Sequence, residues 1–501
     1  MYLCRLTIKR YEVLSEEIKS KYEVVIGLEV HAQLSTASKI FAADAVAFGG
    51  EPNTHVSVIT LGHPGTLPKL NKKAVEYGIR MGLACGSEIN RWTYFDRKNY
   101  FYPDLPKGYQ ISQDKAPICT GGTVVIRLGD GSERTIQFHH MHLEEDAGKS
   151  VHDDHATDTL LDYNRAGTPL IEMVTEPCLR SAEEAATFLG EVRKLVRYLD
   201  ICDGNMEEGS LRCDVNISVR LKGAEAFGTK VEIKNMNSMR FIQRAIEFET
   251  ERQIALLEAG QAVIQETRMF DPATGETYGM RLKETMNDYR YFPDPDLAPV
   301  VVTDEWLSQI QAQMPALPRA LFLKFQAEYG LSSYDASILT ETKEMAHYFE
   351  SVCQHITNYK SAANWLLNSV RSYLKDSGLE IGEFVLLPER LAQLVLLIDQ
   401  QKVSNSTASQ KLFPLMLEHP EQTPEQLAQA NNLIQQSNTD LIQSLIAEVL
   451  ASNLPKVKEY KQGKKGLLGM FVGEVMKKSK GTADPKLTNQ LMSKALEDAV
   501  L

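Results

Sequence analysis

The 501-residue chain has little cysteine and no cysteine pairing pattern. Its seven cysteines, Cys4, Cys85, Cys119, Cys178, Cys202, Cys213 and Cys353, are odd in number and scattered, with no Cys-x-x-Cys among them. That argues against a disulfide framework and a zinc knuckle, and makes a reduced, cytosolic or stromal compartment the expectation, cytoplasmic in short. No uninterrupted apolar stretch approaches the roughly 20 residues that cross a bilayer, so no membrane partner is expected. The first residues, Met1-Tyr2-Leu3-Cys4-Arg5, lack an apolar leader and an Arg/Ser-rich amphipathic one, which argues against export. Positive charge is also in deficit: 54 Lys and Arg against 66 Asp and Glu give a net charge of −12. A blanket nucleic-acid coat is thereby excluded, because neutralising phosphates needs surplus cations. Neither a phosphate loop nor a dinucleotide fingerprint occurs where a strand meets a helix, and no His-Glu-x-x-His marks a zinc hydrolase.

What is present suits a folded protein of several domains, with 43% apolar and 24% charged residues. The patterning predicts an α+β architecture: a mixed or antiparallel sheet with flanking helices over 1–296, an all-helical domain over 297–420, and a small helical tail over 421–501. Strands are expected at 22–30, 56–61, 123–128, 134–143, 211–220 and 230–234, each short, rich in Val, Ile, Leu or Thr and bounded by turn residues. The alternation over 211–220 is unbroken: Leu211, Cys213, Val215, Ile217 and Val219 face a core, and Arg212, Asp214, Asn216, Ser218 and Arg220 face water or a ligand. Helices are expected at 71–84, 181–199 and 240–258. The second begins with Ser181 as N-cap and Glu184 at the capping-box position, then buries Ala185, Phe188, Leu189, Val192 and Val196. Three prolines in Pro293-Asp294-Pro295-Asp296-Leu297-Ala298-Pro299 predict a rigid connector. Beyond it only helical spacing remains, and Thr423-Pro424-Glu425-Gln426 reads as a helix start.

Chemistry concentrates in acids and histidines on strands. Glu29 and His31 lie two residues apart, as do His142 and Glu144, so each pair shares one face of an extended segment. A set drawn from Glu29, Glu144, Asp214 and Glu232 offers the hard oxygen ligands that suit Mg²⁺, with His31 as a nitrogen ligand or an orienter of bound water. The alternative is a salt bridge for Glu29 with His31, a carboxylate-capped turn for His142 to Asp146, and plain surface positions for His139, His140, His152 and His155. Arg165, Arg212, Arg220, Lys234, Arg240, Arg281 and Lys283 stand near expected strand ends. With the acids they outline phosphoryl transfer better than hydrolysis, since cations neutralise charge on transferring oxygens. Arg165, Lys234 and Arg281 are the candidates for nucleotide phosphates. The aromatic segment 99–110 has two readings, a stacking surface for a base or the terminal adenosine of an RNA, or a loop plugging a core edge. Eight lysines, Lys456, Lys458, Lys461, Lys464, Lys465, Lys477, Lys478 and Lys480, lie among only two acids, Glu459 and Glu474, and suit an RNA backbone or a solvated helical face.

Several long motifs occur in order: Gly27-Leu28-Glu29-Val30-His31, Tyr100-Phe101-Tyr102-Pro103-Asp104-Leu105-Pro106-Lys107-Gly108-Tyr109, His142-Leu143-Glu144-Glu145-Asp146-Ala147-Gly148-Lys149, Asp162-Tyr163-Asn164-Arg165-Ala166-Gly167-Thr168-Pro169-Leu170, Glu207-Glu208-Gly209-Ser210-Leu211-Arg212-Cys213-Asp214-Val215-Asn216 and Asp288-Tyr289-Arg290-Tyr291-Phe292-Pro293-Asp294-Pro295-Asp296-Leu297. Together they closely resemble the B-subunit family of glutamine-dependent aspartyl/glutamyl-tRNA amidotransferases, from about Lys21 to the end. The resemblance implies a cradle-shaped catalytic domain, a helical domain and a tail domain. It implies that ATP and Mg²⁺ serve to phosphorylate the side-chain carboxylate of tRNA mischarged with glutamate or aspartate, and that ammonia then displaces phosphate. It further implies a heterotrimer completed by two other proteins. One is an amidase (glutaminase), which makes ammonia from glutamine and passes it through a tunnel; the other is a small protein that braces the pair.

By the same resemblance Glu29, His31, Glu144, Asp214 and Glu232 map to the metal-binding group, with Glu172 and Glu208 as supporting or tunnel-end acids; Arg212 and Lys234 are added as phosphate or carboxylate clamps. No Ser-Lys amidase or Cys-His glutaminase arrangement is recognisable, so ammonia must come from a partner. Relatives carry zinc-knuckle cysteines in the segment matching 39–49; this chain has none there, so structural zinc is not expected. Leu282 and Asp114 are further departures, at positions where a serine and an aromatic are commoner. Two competing accounts are a non-catalytic tRNA-binding scaffold and an ATP-dependent amide ligase for a small acid. The first predicts that Glu29→Gln leaves function intact, the second that turnover needs no RNA.

Overall fold

The computed structural model describes residues 14–152, 158–282, 289–434, 439–479 and 483–498. Two compact units divide the chain at Leu317 and Pro318. The first is built on β1 (Tyr22–Gln33), α1 (Lys72–Cys85), β2 (Asp96–Asn99), β3 (Tyr109–Ser112), β4 (Glu133–Glu145), β5 (Pro169–Thr175), α2 (Ala182–Tyr198), β6 (Leu211–Leu221), β7 (Val231–Lys234), α3 (Met239–Glu258), β8 (Glu266–Asp271), β9 (Glu276–Leu282) and α4 (Asp304–Ala312).

The main sheet runs β9-β8-β7-β6-β1-β5-β4 and continues through Cys119–Thr120 to Glu88–Ile89, with Thr123–Arg127 also paired to β4. The β7–β8 pair is parallel and the other pairs along this order are antiparallel, so the sheet is mixed and the fold class α+β. Register fixes which side chains meet. His31 lies opposite Arg212 on one side and Glu172 on the other; Glu172 in turn lies opposite His142. Glu29 lies opposite Asp214, and Asn216 opposite Glu232. Because side chains alternate, these polar rows occupy one face. The other face carries Leu28, Val30, Cys213, Val215, Ile217, Ile171, Met173, Met141 and Leu143, packed on Val75 and Ile79 of α1, Phe188 and Val192 of α2 and Ile242 and Ile246 of α3. Each such fully buried aliphatic side chain contributes about 1.5–3 kcal/mol, which anchors the polar rows above it.

Ser181 caps α2 through Glu184 N at 3.1 Å, but the Glu184 carboxylate reaches one residue further back than a capping box requires and accepts from Arg180 N at 2.8 Å. The proline-rich connector is pinned back: Phe292–Pro293 pairs with Asp96–Arg97, and Arg97 holds Asp294 and Asp296, each at 2.8 Å. Residues 56–61 differ from expectation, forming turns instead of a strand. Ser57 and Thr60 hydroxyls both donate to Asp44, which bends the segment, and Val58 is left exposed.

The second unit is helical in its described residues. Thr423 and Gln426 form the expected reciprocal capping box before Pro424–Ala430. Helices Thr439–Ser452, Leu454–Lys461, Leu467–Lys478 and Pro485–Asp498 share a separate core of Ile442, Ile446, Val449, Val457, Tyr460, Phe471, Val475, Met492 and Leu496. No helix among the described residues is long and apolar enough to cross a membrane.

Candidate active site

Two groups of metal-ligand side chains lie side by side on the polar face. In the first, one oxygen each from Glu29 of β1, Asp214 of β6 and Glu232 of β7 fall within 4.8 Å of one another. Asn216 Nδ2 donates to Glu29 Oε1 at 2.7 Å and Thr267 Oγ1 to Glu232 Oε2 at 2.9 Å, orienting two of the carboxylates. Lys234 Nζ pairs with Asp214 and, at 2.8 Å, with Glu232. Burial, reinforced by the nearby Glu172 charge, pushes the Glu29 carboxyl above its usual range. Three converging carboxylates beside one ammonium leave surplus negative charge, the donor chemistry of a hard divalent cation.

The second group is His31, Glu144 and Glu172, again within 4.8 Å. His31 Nε2 is 3.1 Å from Glu172 Oε2, and His142 Nε2 lies 3.4 Å from Glu172 Oε2 and 3.5 Å from Glu144 Oε2. Ser112 Oγ donates to Glu144 Oε2 at 3.1 Å. Burial opposes protonation of His31, but Glu172 outweighs it and lifts the imidazole to about 9. Burial would raise the Glu144 and Glu172 carboxyls, yet His142 and His31 respectively hold both low. Lys98 of β2 stays protonated against burial because Glu144 and Glu172 face it.

At the edge of these groups Asp146, buried, accepts from Arg212 at 2.7 Å and Gln33 Nε2 at 2.8 Å. Arg212 Nε is buried without an acceptor, an orphaned donor suited to a ligand oxygen. Arg165 is engaged with the carbonyls of Ala147 at 2.9 Å and Gly148 at 2.6 Å. Arg281 lies on β9 with its side chain outside the described residues, and Lys283 lies outside them altogether. Glu208 sits exposed in a turn, apart from both groups. Sequence reasoning missed Lys98, which nothing in the local pattern Asp96-Arg97-Lys98-Asn99 singles out. It placed Glu172 only by resemblance, although one acid inside the apolar run Pro169-Leu170-Ile171-Glu172-Met173-Val174 is itself a signal of a buried polar demand.

In the tail, Lys456, Lys458, Lys461, Lys464, Lys465, Lys477 and Lys478 are exposed, with Lys464 on Glu459 at 3.0 Å and Lys478 on Glu448; Lys480 lies outside the described residues.

Residues 24–308 match the family model described as the GatB/GatE catalytic domain, and residues 347–496 match the GatB domain. The chain is 50% identical over 478 residues to the B subunit of the aspartyl/glutamyl-tRNA(Asn/Gln) amidotransferase of Alkalilimnicola ehrlichii, covering 95% of this chain and 100% of that protein. It is 49% identical over 484 residues to the B subunit of the same enzyme from Synechococcus sp. strain JA-3-3Ab, covering 96% and 98%. To that of Bdellovibrio bacteriovorus it is 47% identical over 477 residues, covering 95% and 99%. Both halves of the family signature and nearly full-length identity agree with the acid-rich sheet face: the chain belongs to the B-subunit family of aspartyl/glutamyl-tRNA amidotransferases, enzymes that convert misacylated Glu- or Asp-tRNA to Gln- or Asn-tRNA in an ATP-dependent reaction.

Proposed function

We propose that the polar face of β7-β6-β1-β5-β4 activates the side-chain carboxylate of tRNA-borne glutamate or aspartate and then receives ammonia. A carboxylate resists ammonia because its leaving group would be oxide. Phosphorylation solves this: a carboxylate oxygen attacks the terminal phosphorus of ATP and ADP leaves; ammonia nitrogen then attacks the acyl carbon, and phosphate leaves with the electron pair of the broken C–O bond. Glu29, Asp214 and Glu232 would hold Mg²⁺, which supplies positive charge to the transferring phosphoryl oxygens. His31, Glu144 and Glu172 complete the acid-rich face beside them. Lys234 and Arg212 clamp phosphate or carboxylate oxygens, Arg212 through its free Nε. Arg165 acts by fixing the 146–148 turn, and Arg281 is kept as a phosphate contact. Glu172 and Glu144, held ionised by His31 and His142, set negative charge beside the cationic nitrogen adduct, whose proton passes to water.

The carrying observation is the convergence of three carboxylates from three adjacent strands beside Lys234. Catalysis is assigned to 1–296, a helical connection to 297–420, and RNA-backbone contact to the tail lysines of 421–501, Lys480 included. The chain works in a heterotrimer with the ammonia-making amidase and the small bracing protein. The assembled complex is to be given misacylated tRNA, ATP, Mg²⁺ and glutamine. Amidated tRNA should form, vanish without ATP, and return when ammonium chloride replaces glutamine. Absence of amidated product from the full mixture would remove the assignment.

A further inference from the structure

The aromatic segment 99–110 divides by side chain. Tyr100 turns inward: its hydroxyl donates to Gln110 Oε1 at 3.4 Å, and its ring meets Tyr289 edge-on with centroids 5.9 Å apart. Leu105 is buried, and the Tyr109 ring lies under the Arg97 guanidinium at 4.4 Å. Phe101 does the opposite and is 86% exposed. Exposed single aromatics are common, so exposure alone decides nothing. The loop around this one, however, is tied down. Tyr163 Oη donates to Pro103 O at 2.9 Å, Gly148 N to Asp104 O at 2.8 Å and Leu105 N to Tyr102 O at 3.0 Å, while Lys107 pairs with Glu145. A phenyl ring held out to solvent on a braced loop is a preformed stacking platform, because its flanks need little further ordering on contact.

Its place on the catalytic face selects the ligand. The loop joins β2 to β3; β2 carries Lys98, and β3 carries Ser112, which bonds Glu144. The hairpin forms a separate sheet with Phe292–Pro293, and its contacts with Glu144 and Glu145 seat it at the β4 end of the polar face. The oxygen trio and Lys234, where phosphate charge is met, are centred on β1, β6 and β7. The aminoacyl group to be activated is esterified to a terminal adenosine, so its base must come to rest within the span of one ribose and one aminoacyl chain of the reacting carboxylate. Resting on the reaction proposed above, we propose that Phe101 stacks on the terminal adenine of the aminoacyl-tRNA and so positions the side-chain carboxylate toward Lys98 on the same hairpin.

The test uses the assembled complex with Phe101→Ala, Phe101→Leu and Phe101→Trp, at a site too exposed for the fold to depend on it. A tRNA carrying 2-aminopurine as its 3′ base should lose fluorescence on binding the unsubstituted complex and the Phe101→Trp complex. It should stay bright with Phe101→Ala and Phe101→Leu, since leucine is apolar but has no π face. For the two aliphatic variants, KM for aminoacyl-tRNA should rise on the order of ten-fold while KM for ATP is unchanged. Equal quenching in every variant, or a shift in KM for ATP instead, overturns the inference; the second outcome assigns the ring to the nucleotide. If the unsubstituted complex makes no amide, the reaction itself falls, whereas product from a fully active Phe101→Ala complex sinks this inference alone.

Discussion

Replacing Glu29 by glutamine should push fold stability and catalysis in opposite directions. The substitution keeps size and shape, and the new amide oxygen can still accept from Asn216 Nδ2. What it removes is one of three carboxylates gathered within 4.8 Å, with Glu172 adding further repulsion. At about 5 Å and an effective dielectric near 20, one like-charge pair is worth about 3 kcal/mol. Lys234 already neutralises much of the negative charge on Asp214 and Glu232, so net relief of about 1 kcal/mol is the reasonable scale without metal. Over a unit of this size that corresponds to a rise in Tm of about 1–2 °C. With a divalent ion the same change loses an anionic ligand, about 3 kcal/mol or more, hence on the order of a hundred-fold weaker ion binding. Differential scanning calorimetry in EDTA, tRNA-dependent ADP release across a Mg²⁺ titration, and tRNA retention on a filter separate these effects. Expected are a slightly higher Tm, greatly reduced ADP release and unchanged tRNA retention. Wild-type ADP release at low Mg²⁺ would refute the reasoning, as would a Tm several degrees lower.

Asp146→Asn should lower stability by about 2 kcal/mol in urea titration, because it uncouples a buried carboxylate from Arg212; the loss is on the low side since the guanidinium keeps some access to water. Substituting Lys458, Lys465 and Lys477 by glutamine should weaken tRNA binding and flatten its logarithmic salt dependence by about 0.7–0.9 per contact removed, with no change in which tRNA is preferred. Burial holds the Lys39 amine down to about 8 despite the nearby Asp44, so between about pH 8 and its ordinary 10.5 the unfolded chain binds more protons. The Lys39 contribution to stability therefore rises with pH across that window. Lys39→Met should show a flatter rise in urea midpoint from pH 8 to 10, and an unchanged slope would disprove the assignment.

The legible parts of this protein were those written in period two. Arg212, Asp214 and Asn216 could be placed on one face from alternation alone, and Glu29 with His31 likewise, because one buried face leaves a strand no freedom of register. The segment 56–61 misled because its Val and Ile content mimics a strand while the deciding contact, the Asp44 side chain, lies outside it. Lys98 was hidden for a related reason: its importance comes from the packing of the β2–β3 hairpin over β4, which local pattern does not encode. The same holds for α3, which buries Glu249, Arg252 and Gln253 on what periodicity treats as a polar stripe. There Arg252 meets Glu249 at 2.6 Å, and Thr277 of β9 donates to Glu249 at 3.0 Å.

The central position of β1 bears on how the chain reaches its native state. It is the earliest strand of the main sheet to be synthesised, yet Gln33 pairs with Leu170 and Tyr22 with Leu221, so both its edges stay unsatisfied until much of the first unit has been made. Such distant closures slow folding and leave an apolar, pairing-competent ribbon open to other chains meanwhile. Newly made protein should therefore depend on chaperone capture during translation, and truncations ending before residue 221 should aggregate instead of folding in part.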